Sequence, residues 1–527
     1  MYARHLGSTP QTEALPGQIA NSAGGFSFAV DDWTRLDRFL ILGSEGGSYY
    51  AAERKLTIDN AACVERCVAL EGLRTVARIV EVSDSGRAPK NEPALMALAI
   101  AAKRGNTETR RAAFAALPRV ARIGTHLFHF AEYVKALGGW GRATTRAFSE
   151  WYLSMDPSRL ALQAIKYQQR DGWSHRDLLR KAHPKTDDAT RNAILRWMVK
   201  GWDGIGTVPH EDPVLVKIWA FERAKVTTDR KELIRLISDY DLPHECVPSE
   251  AKGDPAVWEA MLPSMGQTAM IRNLGKMTAV GLLKPLSASV RAVVDQLGDV
   301  AAMKRARIHP LSLLVALKTY QQGHGDKGSL AWAPVASIVD ALDAGFYSAF
   351  KAVEPTGKRH LLALDVSGSM GSTAIAGMAG ITPRIGSAAM ALVTANVEES
   401  HAFMGFSHQL VPLAISPRQR LDDAVRAISN IPFGATDCGL PMAWAEKNKI
   451  PVDVFCVYTD NETYAGSIHP VQALQSYRQK TGIGAKLVVV GMVANEFTIA
   501  DPADAGMLDV AGFDTAAPAV ISDFARG

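Results

Sequence analysis

The sequence has few cysteines and no long apolar run. Its 527 residues include five cysteines, and no stretch reaches the roughly 18 apolar residues that a membrane-spanning helix needs. The opening stretch, MYARHLGSTPQTEALPGQ, lacks the apolar core of a secretory signal peptide. Few, scattered cysteines in odd number argue against a disulfide framework and favour a reducing compartment. We therefore expect a cytoplasmic protein that does not contact membranes.

Charge is unevenly distributed along the chain. Residues 356–527 carry 12 Lys and Arg against 16 Asp and Glu, whereas residues 1–355 carry 46 against 38. The overall net charge of +4 conceals this difference. Because polyanions bind to basic surfaces, a polyanionic partner is expected to bind the first part of the chain.

Two domains of different class are predicted after a short N-terminal tail, residues 1–15. Residues 55–355 show helical periodicity with almost no strand pattern, which indicates an irregular α-solenoid of paired helices. A clear example of the helical spacing is the set Val335, Ile338, Val339, Leu342, Phe346 and Phe350. Within residues 16–355, the Gly-rich stretch GSEGGSYY (43–50) is predicted to be a turn, because it lacks the Lys-Ser/Thr ending of a phosphate loop.

After Pro355 the pattern changes to apolar strands that alternate with helices. The runs HLLALD, HAFMGF, VDVFCVYTD and KLVVVGM are typical of buried parallel strands, and helical stretches such as GSAAMALVTANVEES, RLDDAVRAISN and HPVQALQSYRQK separate them. Residues 356–527 are therefore predicted to form a doubly wound α/β domain.

Oxygen-bearing side chains gather at the predicted strand ends of this domain. Asp365 and Asp460 each close a strand, and ligands of such sheets bind at the carboxyl ends of strands. Two carboxylates with nearby hydroxyls suit Mg²⁺ or Mn²⁺. The set Asp365, Ser367, Ser369, Thr436 and Asp460 resembles the metal-ion-dependent adhesion site of von Willebrand factor A domains. A vestigial, purely structural cluster is the alternative.

The helical part contains a strongly basic segment. Residues 159–200 hold ten Lys and Arg against four Asp, and aromatic residues are interspersed. Lys166 and Arg170, four residues apart, are expected on one helix face as a pair of phosphate contacts. A solvated helix face is the alternative for the whole run, and a helix-capping histidine is the alternative for His183. The basic residues are Arg159, Lys166, Arg170, Arg176, Arg180, Lys181, Lys185, Arg191, Arg196 and Lys200.

Several long motifs resemble the Ro autoantigen family, which carries the TROVE RNA-binding module. They include LDRFLILGSEGGSYYAAERKL, KYQQRDGWSHRDLLRKAHPK, RNLGKM, RARIHP and VEPTGKRHLLALDVSGSM, and the likeness is to bacterial members more than to animal ones. The resemblance extends from about residue 16 to the C-terminus. The Gly/Ala-rich stretch GSTAIAGMAGITPRIG after Met370 departs from the pattern of animal members.

The resemblance implies a ring of HEAT-like helical repeats over residues 16–355, closed by a von Willebrand factor A-like domain over residues 356–527. Family members bind small structured Y RNAs on the outer surface and take 3′ ends of misfolded or damaged RNA into the central hole. Lys166, Arg170 and His183 would contact Y RNA, with Arg176, Arg180 and Lys181 in the same basic segment. Arg272 and Lys276 of RNLGKM are cavity candidates, with helix packing as the alternative role.

The expected function is therefore non-catalytic RNA binding in RNA quality control, processing or decay, by a monomeric ring. The resemblance also implies an exoribonuclease tethered through Y RNA. A protein-interaction module, in which the metal binds an acidic side chain of a partner, is a further hypothesis that is compatible with RNA binding. A metal-dependent phosphoesterase or nuclease at Asp365 and Asp460 is the alternative. It is disfavoured because no general base or nucleophile accompanies the cluster and the basic surface belongs to the other domain.

Overall fold

The computed structural model describes residues 5–43, 53–205, 211–325, 329–348, 354–371, 375, 380–417, 419–429, 431 and 434–527, and for residues 53–60 only the helical backbone. The turn predicted at residues 43–50 lies outside these ranges beyond Gly43. Most of the Gly/Ala-rich stretch after Met370 also lies outside them. No helix in the described ranges is long and apolar enough to span a bilayer.

The first part of the chain is almost entirely helical. Its two short hairpins are formed by strands β1 (Gln18–Ala20) and β2 (Phe26–Ala29), and by β3 (Gln169–Arg170) and β4 (Trp173–Ser174). Its helices are α1 (Asp32–Leu42), α2 (Glu53–Ser85), α3 (Glu92–Arg104), α4 (Thr107–Val120), α5 (Gly124–Ala136), α6 (Arg142–Leu153), α7 (Pro157–Lys166), α8 (His175–Ala182), α9 (Ala189–Lys200), α10 (Pro213–Val226), α11 (Arg230–Tyr240), α12 (Pro255–Met261), α13 (Gln267–Ala279), α14 (Ala288–Gly298), α15 (Val300–Arg305), α16 (Pro310–Gln321) and α17 (Ala336–Ser348).

Local sequence explains where these helices begin. Asp156, Asp212 and Asp254 each precede a proline, and each aspartate accepts a hydrogen bond from a backbone N–H of the first turn of α7, α10 or α12. Proline suits the first helical position because it has no N–H to leave unpaired there. The helix predicted from the spacing of Val335 to Phe350 is confirmed over Ala336–Ser348 as α17, which buries Ile338, Val339, Leu342 and Phe346, and Phe350 lies outside the described residues.

The second part is the predicted α/β domain. Its sheet has the order β11-β9-β8-β5-β6-β7, parallel except for the edge strand β7. The four strands predicted from apolar runs are confirmed as β5, β6, β8 and β9. The elements are β5 (His360–Asp365), α18 (Pro383–Val397), β6 (His401–Phe406), β7 (Leu410–Pro412), α19 (Leu421–Ser429), α20 (Leu440–Lys447), β8 (Val454–Thr459), α21 (Pro470–Thr481), β9 (Lys486–Gly491), β10 (Phe497–Thr498), β11 (Met507–Ala511) and α22 (Ala517–Arg526).

The described part of the N-terminal segment contacts the α/β domain. Residues 5–29, named here the N-terminal strap, lie along the α/β domain. Strand β2 pairs with β1 on one side and with β10 of that domain on the other. Gln11 is fully buried and donates to Asp437 Oδ1 at 2.7 Å. The strap is therefore bound to the C-terminal domain through β2 and Gln11, although it precedes the helical part in sequence.

The helical part forms a ring, and its two ends meet at the α/β domain. Arg307 Nε donates to the carbonyl of Asp84 at 3.0 Å, which joins α15 and its following turn to the end of α2. At the same place, Arg87 Nε donates to Asp514 Oδ1 at 2.9 Å. Gln321 of α16 donates to Asp422 of α19 at 2.6 Å. The α/β domain thus contacts both ends of the helical array.

Arg38 makes the most deeply buried of these domain contacts in the described ranges. Its side chain is 0% exposed and forms two 2.8 Å hydrogen bonds to Asp509 of β11. It also donates to the backbone carbonyls of Asn495 and Phe497. A buried charge with several well-placed partners is costly to break, because truncation leaves the opposite charge in a site without water.

We expect Arg38→Ala to lower the free energy of unfolding by about 3–5 kcal/mol, because Asp509 would remain buried without its partner. Arg66→Ala is the control. Its pair with Asp32 has side chains 48% and 34% exposed, and such surface pairs contribute only about 0–1 kcal/mol. Urea unfolding followed by circular dichroism measures both losses, and equal losses would contradict the assigned role of Arg38.

Candidate functional site

A basic cavity opens where the ends of the helical ring meet. Its volume is about 820 Å³, and its lining comes from residues between 82 and 312 on several helices and loops. The lining includes seven Lys and Arg side chains but only two carboxylates, Glu92 and Glu245. The seven cations are Lys90, Arg122, Arg159, Lys166, Arg170, Arg272 and Arg307. Such an excess of positive charge around a concave surface attracts polyanions.

Several of these cations lack an internal counter-charge. In the part of the chain that the structure describes, no carboxylate lies within salt-bridge distance of Arg122, Arg272 or Arg307, and the same holds for Arg159. Burial and the nearby charge of Arg307 lower the pKa of Arg122 to about 10, with Asp84 opposing the effect. Mutual repulsion of this kind is relieved by a bound anion, as expected for a phosphate site.

The expectation that Lys166 and Arg170 share one helix face is wrong. Helix α7 ends at Lys166, and Arg170 lies in β3, paired with Trp173 of β4. Asp171 and Gly172 form the turn between these strands with φ of 53° and 75°. An Asp-Gly pair favours this two-residue turn, because both central residues adopt left-handed conformations. The sequence carried this signal in RDGW.

The hairpin nevertheless brings Arg170 to the same cavity as Lys166. His129 of α5 lies 2.5 Å from Asp171, and Trp173 Nε1 donates to Glu132 at 2.8 Å, so the hairpin is anchored on α5. Arg170 itself is 61% exposed and stands at the cavity rim. The basic cavity therefore unites Lys166, Arg170 and Arg272, which are distant in sequence.

The remaining cations of the basic segment lie outside this lining. Arg176, Arg180 and Lys181 are exposed on α8, which begins with a capping box formed by Ser174 and Asp177. His183 ends the helix with φ 45° and ψ 51°. His183 caps the helix through its backbone N–H, which donates to the carbonyl of Leu179, and not through its ring. Its imidazole is exposed and available to contact a ligand. Lys276, one turn after Arg272 on α13, lines an adjoining cavity.

The two predicted metal-site aspartates lie close together at the carboxyl edge of the sheet. Asp365 closes β5 and Asp460 follows β8, and the strand order reverses between these two strands. Both side chains are buried. Burial and the charge of Asp460 raise the pKa of Asp365, and burial raises the pKa of Asp460. A cation placed between such carboxylates would stabilise their ionised forms.

Serine hydroxyls join these carboxylates. The backbone N–H of Ser367 donates to Asp365 Oδ1 at 2.9 Å, and Ser367 Oγ lies 3.0 Å from Ser369 Oγ. Ser369 in turn hydrogen-bonds to Asp460. All these donor atoms are oxygens, and such a set fits a hard divalent cation. The chemistry of the residues present thus matches the cation that the sequence implied.

Thr436 is buried in the neighbouring loop, which the N-terminal strap holds in place. Its carbonyl accepts hydrogen bonds at 3.0 Å from the backbone N–H groups of Tyr464 and Ala465, after β8. Gln11 bonds to Asp437 beside it and accepts from Thr463 Oγ1 at 2.5 Å. Sequence reasoning missed Gln11, because nothing local marks a glutamine that acts across 426 residues.

Family comparisons match both parts of the chain. A model of the Ro60 vWA domain matches residues 359–525, and a TROVE domain model matches residues 19–205 and 243–319. The chain is 47% identical to the RNA-binding protein RO60 of Deinococcus radiodurans, over 98% of this chain and 97% of that protein. It is 37% identical to the RNA-binding protein RO60 of Caenorhabditis elegans, over 97% of this chain and 90% of that protein.

The structure also resembles a solved one. The crystal structure of the Deinococcus radiodurans RO (RSR) protein superposes with a TM-score of 0.70 at 46% sequence identity. The match covers 94% of this chain and all of that one.

The raised pKa of Asp365 predicts a pH-dependent effect of Asp365→Asn in the presence of EDTA. A carboxyl whose folded-state pKa exceeds its unfolded value destabilises the fold once pH rises above the unfolded value. We expect the variant to be more stable than the parent by about 1–3 kcal/mol at pH 8, and the difference to shrink toward pH 5. Urea unfolding at both pH values measures it, with Asp523→Asn as the exposed control. A pH-independent difference would contradict the prediction.

Proposed function

The chain belongs to the Ro60 family of TROVE-domain proteins, and from that premise we propose that it is a non-catalytic RNA-binding protein. The observation that carries the proposal is the basic cavity, with seven cations against two carboxylates. In this proposal the cavity takes single-stranded 3′ ends of misfolded or damaged RNA. Contacts to phosphates alone give affinity without reading the sequence, as RNA quality control requires.

The exposed surface of α8 is the proposed site for small structured Y RNA. Arg176, Arg180, Lys181 and His183 are all exposed there. Lys166 and Arg170 line the cavity and connect it to α8, so we assign them to both RNA classes. A Y RNA bound at α8 and the rim would then compete with a 3′ end for these two residues. An exoribonuclease tethered through Y RNA remains part of the proposal.

The metal site is proposed to hold Mg²⁺ or Mn²⁺ through Asp365, Ser367, Ser369, Thr436 and Asp460. The support is the pair of buried carboxylates with raised pKa values, surrounded by hydroxyls. Bound there, the cation would supply an open position for an acidic side chain of a protein partner. Asp365 and Asp460 would hold the cation, and the N-terminal strap would position the loop of Thr436.

Catalysis at this site is disfavoured by its location. Every residue that lines the basic cavity belongs to the helical part, whereas both aspartates belong to the acidic α/β domain. The proposed RNA site and the proposed metal site are therefore built from different domains. We further propose a cytoplasmic, monomeric ring. Its support is that all five cysteines are free thiols and that the ring closes within one chain.

Charge removal at the rim should weaken RNA binding and its salt dependence. For Lys166→Ala with Arg170→Ala, we expect the slope of log affinity against log salt for a single-stranded RNA to fall by about 1.4, or about 0.7 for each lost phosphate contact. Arg272→Ala should weaken the single strand more than a structured Y RNA, and His183→Ser should do the reverse. Fluorescence anisotropy over a salt series measures each. An unchanged slope would exclude phosphate contacts at the rim.

Divalent cation binding should depend on the two aspartates. We expect isothermal calorimetry to detect Mg²⁺ or Mn²⁺ binding to the parent protein and to Asp523→Asn, and to detect none for Asp365→Ala, because the latter loses a charged oxygen ligand. The same proteins incubated with labelled RNA and Mg²⁺ should leave the RNA intact. Cleavage that disappears in Asp365→Ala would replace this proposal with a nuclease function.

A further inference from the structure

A second cavity adjoins the basic cavity between α13 and α16. Its volume is about 510 Å³, within the range of about 300–1,000 Å³ that is usual for small-ligand sites. Five residues line both cavities, so the second cavity is a side pocket of the first. These shared residues are Pro89, Thr268, Arg272, Arg307 and Ser312. The side pocket thus opens into the basic cavity, within reach of a strand held there.

An aromatic surface forms one wall of the side pocket. Trp332 is partly buried, and its ring stacks on that of Tyr320 with centroids 6.1 Å apart and planes 21° apart. Trp332 Nε1 donates to the carbonyl of Tyr320 at 2.8 Å. These two contacts fix the orientation of the indole, so a planar ligand would meet a pre-organised stacking surface.

Gly275 explains how this ring fits against α13. A Cβ atom at position 275 would lie 2.7 Å from both Cη2 and Cζ3 of Trp332, so any side chain there would displace the indole. Gly275 stands inside the RNLGKM motif, whose two cations, Arg272 and Lys276, line the same pocket. The three residues of this motif thus combine two positive charges with the space for one aromatic ring.

The other walls offer polar groups suited to a nucleotide. Arg307 lies at the shared mouth, and in the described ranges no carboxylate is within salt-bridge distance of Arg272, Lys276 or Arg307. Thr268, Ser312 and Thr319 add hydroxyls, which can donate to or accept from the edge of a base. Apolar side chains such as Ile271 and Val315 complete the lining.

From this combination we infer that the side pocket is a nucleotide site, in which one unstacked base lies on Trp332 and its phosphate contacts Arg272 and Arg307. Single-stranded RNA is bound in this way elsewhere, by cations along the backbone and aromatic rings under the bases. The inference rests on the proposed function, because the strand in the basic cavity would supply the nucleotide. It adds a contact to the base itself, where the basic cavity offers only contacts to phosphates.

An oligonucleotide with one missing base tests the pocket on the unaltered protein. The probes are a fluorescent ten-nucleotide RNA and a set of the same RNAs, each with a single abasic position among the last four. We expect one abasic position to weaken binding between about fivefold and a hundredfold, the range measured for base–aromatic stacking. Equal affinity at every abasic position would overturn the inference.

Trp332→Ala should remove the preference for RNA with an intact base at the sensitive position. All the probes should then bind the variant with the same affinity, which should equal the affinity of the parent for the abasic probe that it binds most weakly. Trp332→Phe should retain part of the preference, because a smaller ring still stacks. Trp219→Ala is the matched control. Trp219 is another partly buried tryptophan that packs against a tyrosine, Tyr240, and it lines neither cavity. An unchanged base preference in Trp332→Ala would overturn the inference.

Two further outcomes separate the pocket from the proposed function. Displacement of the RNA by millimolar adenosine monophosphate, lost in Trp332→Ala, would support the pocket and identify a free nucleotide as a second source of the same chemistry. A parent protein that binds no probe at all would overturn both the pocket and the proposed RNA function. A parent that binds every probe equally, with its salt dependence intact, would overturn the pocket alone.

Discussion

The buried guanidinium of Arg38 is the contact on which the arrangement of the two domains depends. It leaves the first helix and enters the α/β domain, where Asp509 and two backbone carbonyls of the chain that follows β9 surround it. A charge placed there without these partners would be unstable, so the first helix has one position relative to the sheet. Arg87 and Asp514 repeat the arrangement nearby, and Arg307 joins the opposite end of the helical array to α2. The contacts of Arg38 and Arg87 with the α/β domain are therefore made by arginines that are paired with carboxylates, in contrast to the arginines of the cavity.

That contrast separates structural from binding cations. Arg38 and Arg87 have carboxylates within 3 Å, whereas Arg122, Arg272 and Arg307 have none within salt-bridge distance in the described ranges. The unpaired set lines a cavity, and burial, together with the charge of Arg307, lowers the pKa of Arg122. A bound anion would compensate these buried positive charges.

The sequence allowed prediction of those helices and strands that local residue patterns determine. Helical spacing identified α17, apolar runs identified β5, β6, β8 and β9, and the position of Asp365 and Asp460 at strand ends predicted that they would meet. Prediction from the sequence failed for arrangements that bring together segments distant in sequence. The strap places Gln11 beside Asp437, and Lys166 and Arg307 line the same cavity; neither arrangement has a local signal in the sequence. The prediction for Arg170 failed for a different reason. The Asp-Gly pair at residues 171 and 172 predicts a two-residue turn, but the four-residue spacing of Lys166 and Arg170 was interpreted as one helix face.

Strand β2 lies between β1 and β10, so residues 26–29 hydrogen-bond to residues 497 and 498. Residues 26–29 cannot complete this small sheet until residues 497 and 498 have been synthesised. Domains generally fold as they emerge, and pairings of such long sequence separation form late. We therefore expect the pairing of β2 with β10 to form after the helical array has folded. The strap then joins the α/β domain through residues that are distant in sequence, Ala29 and Phe497.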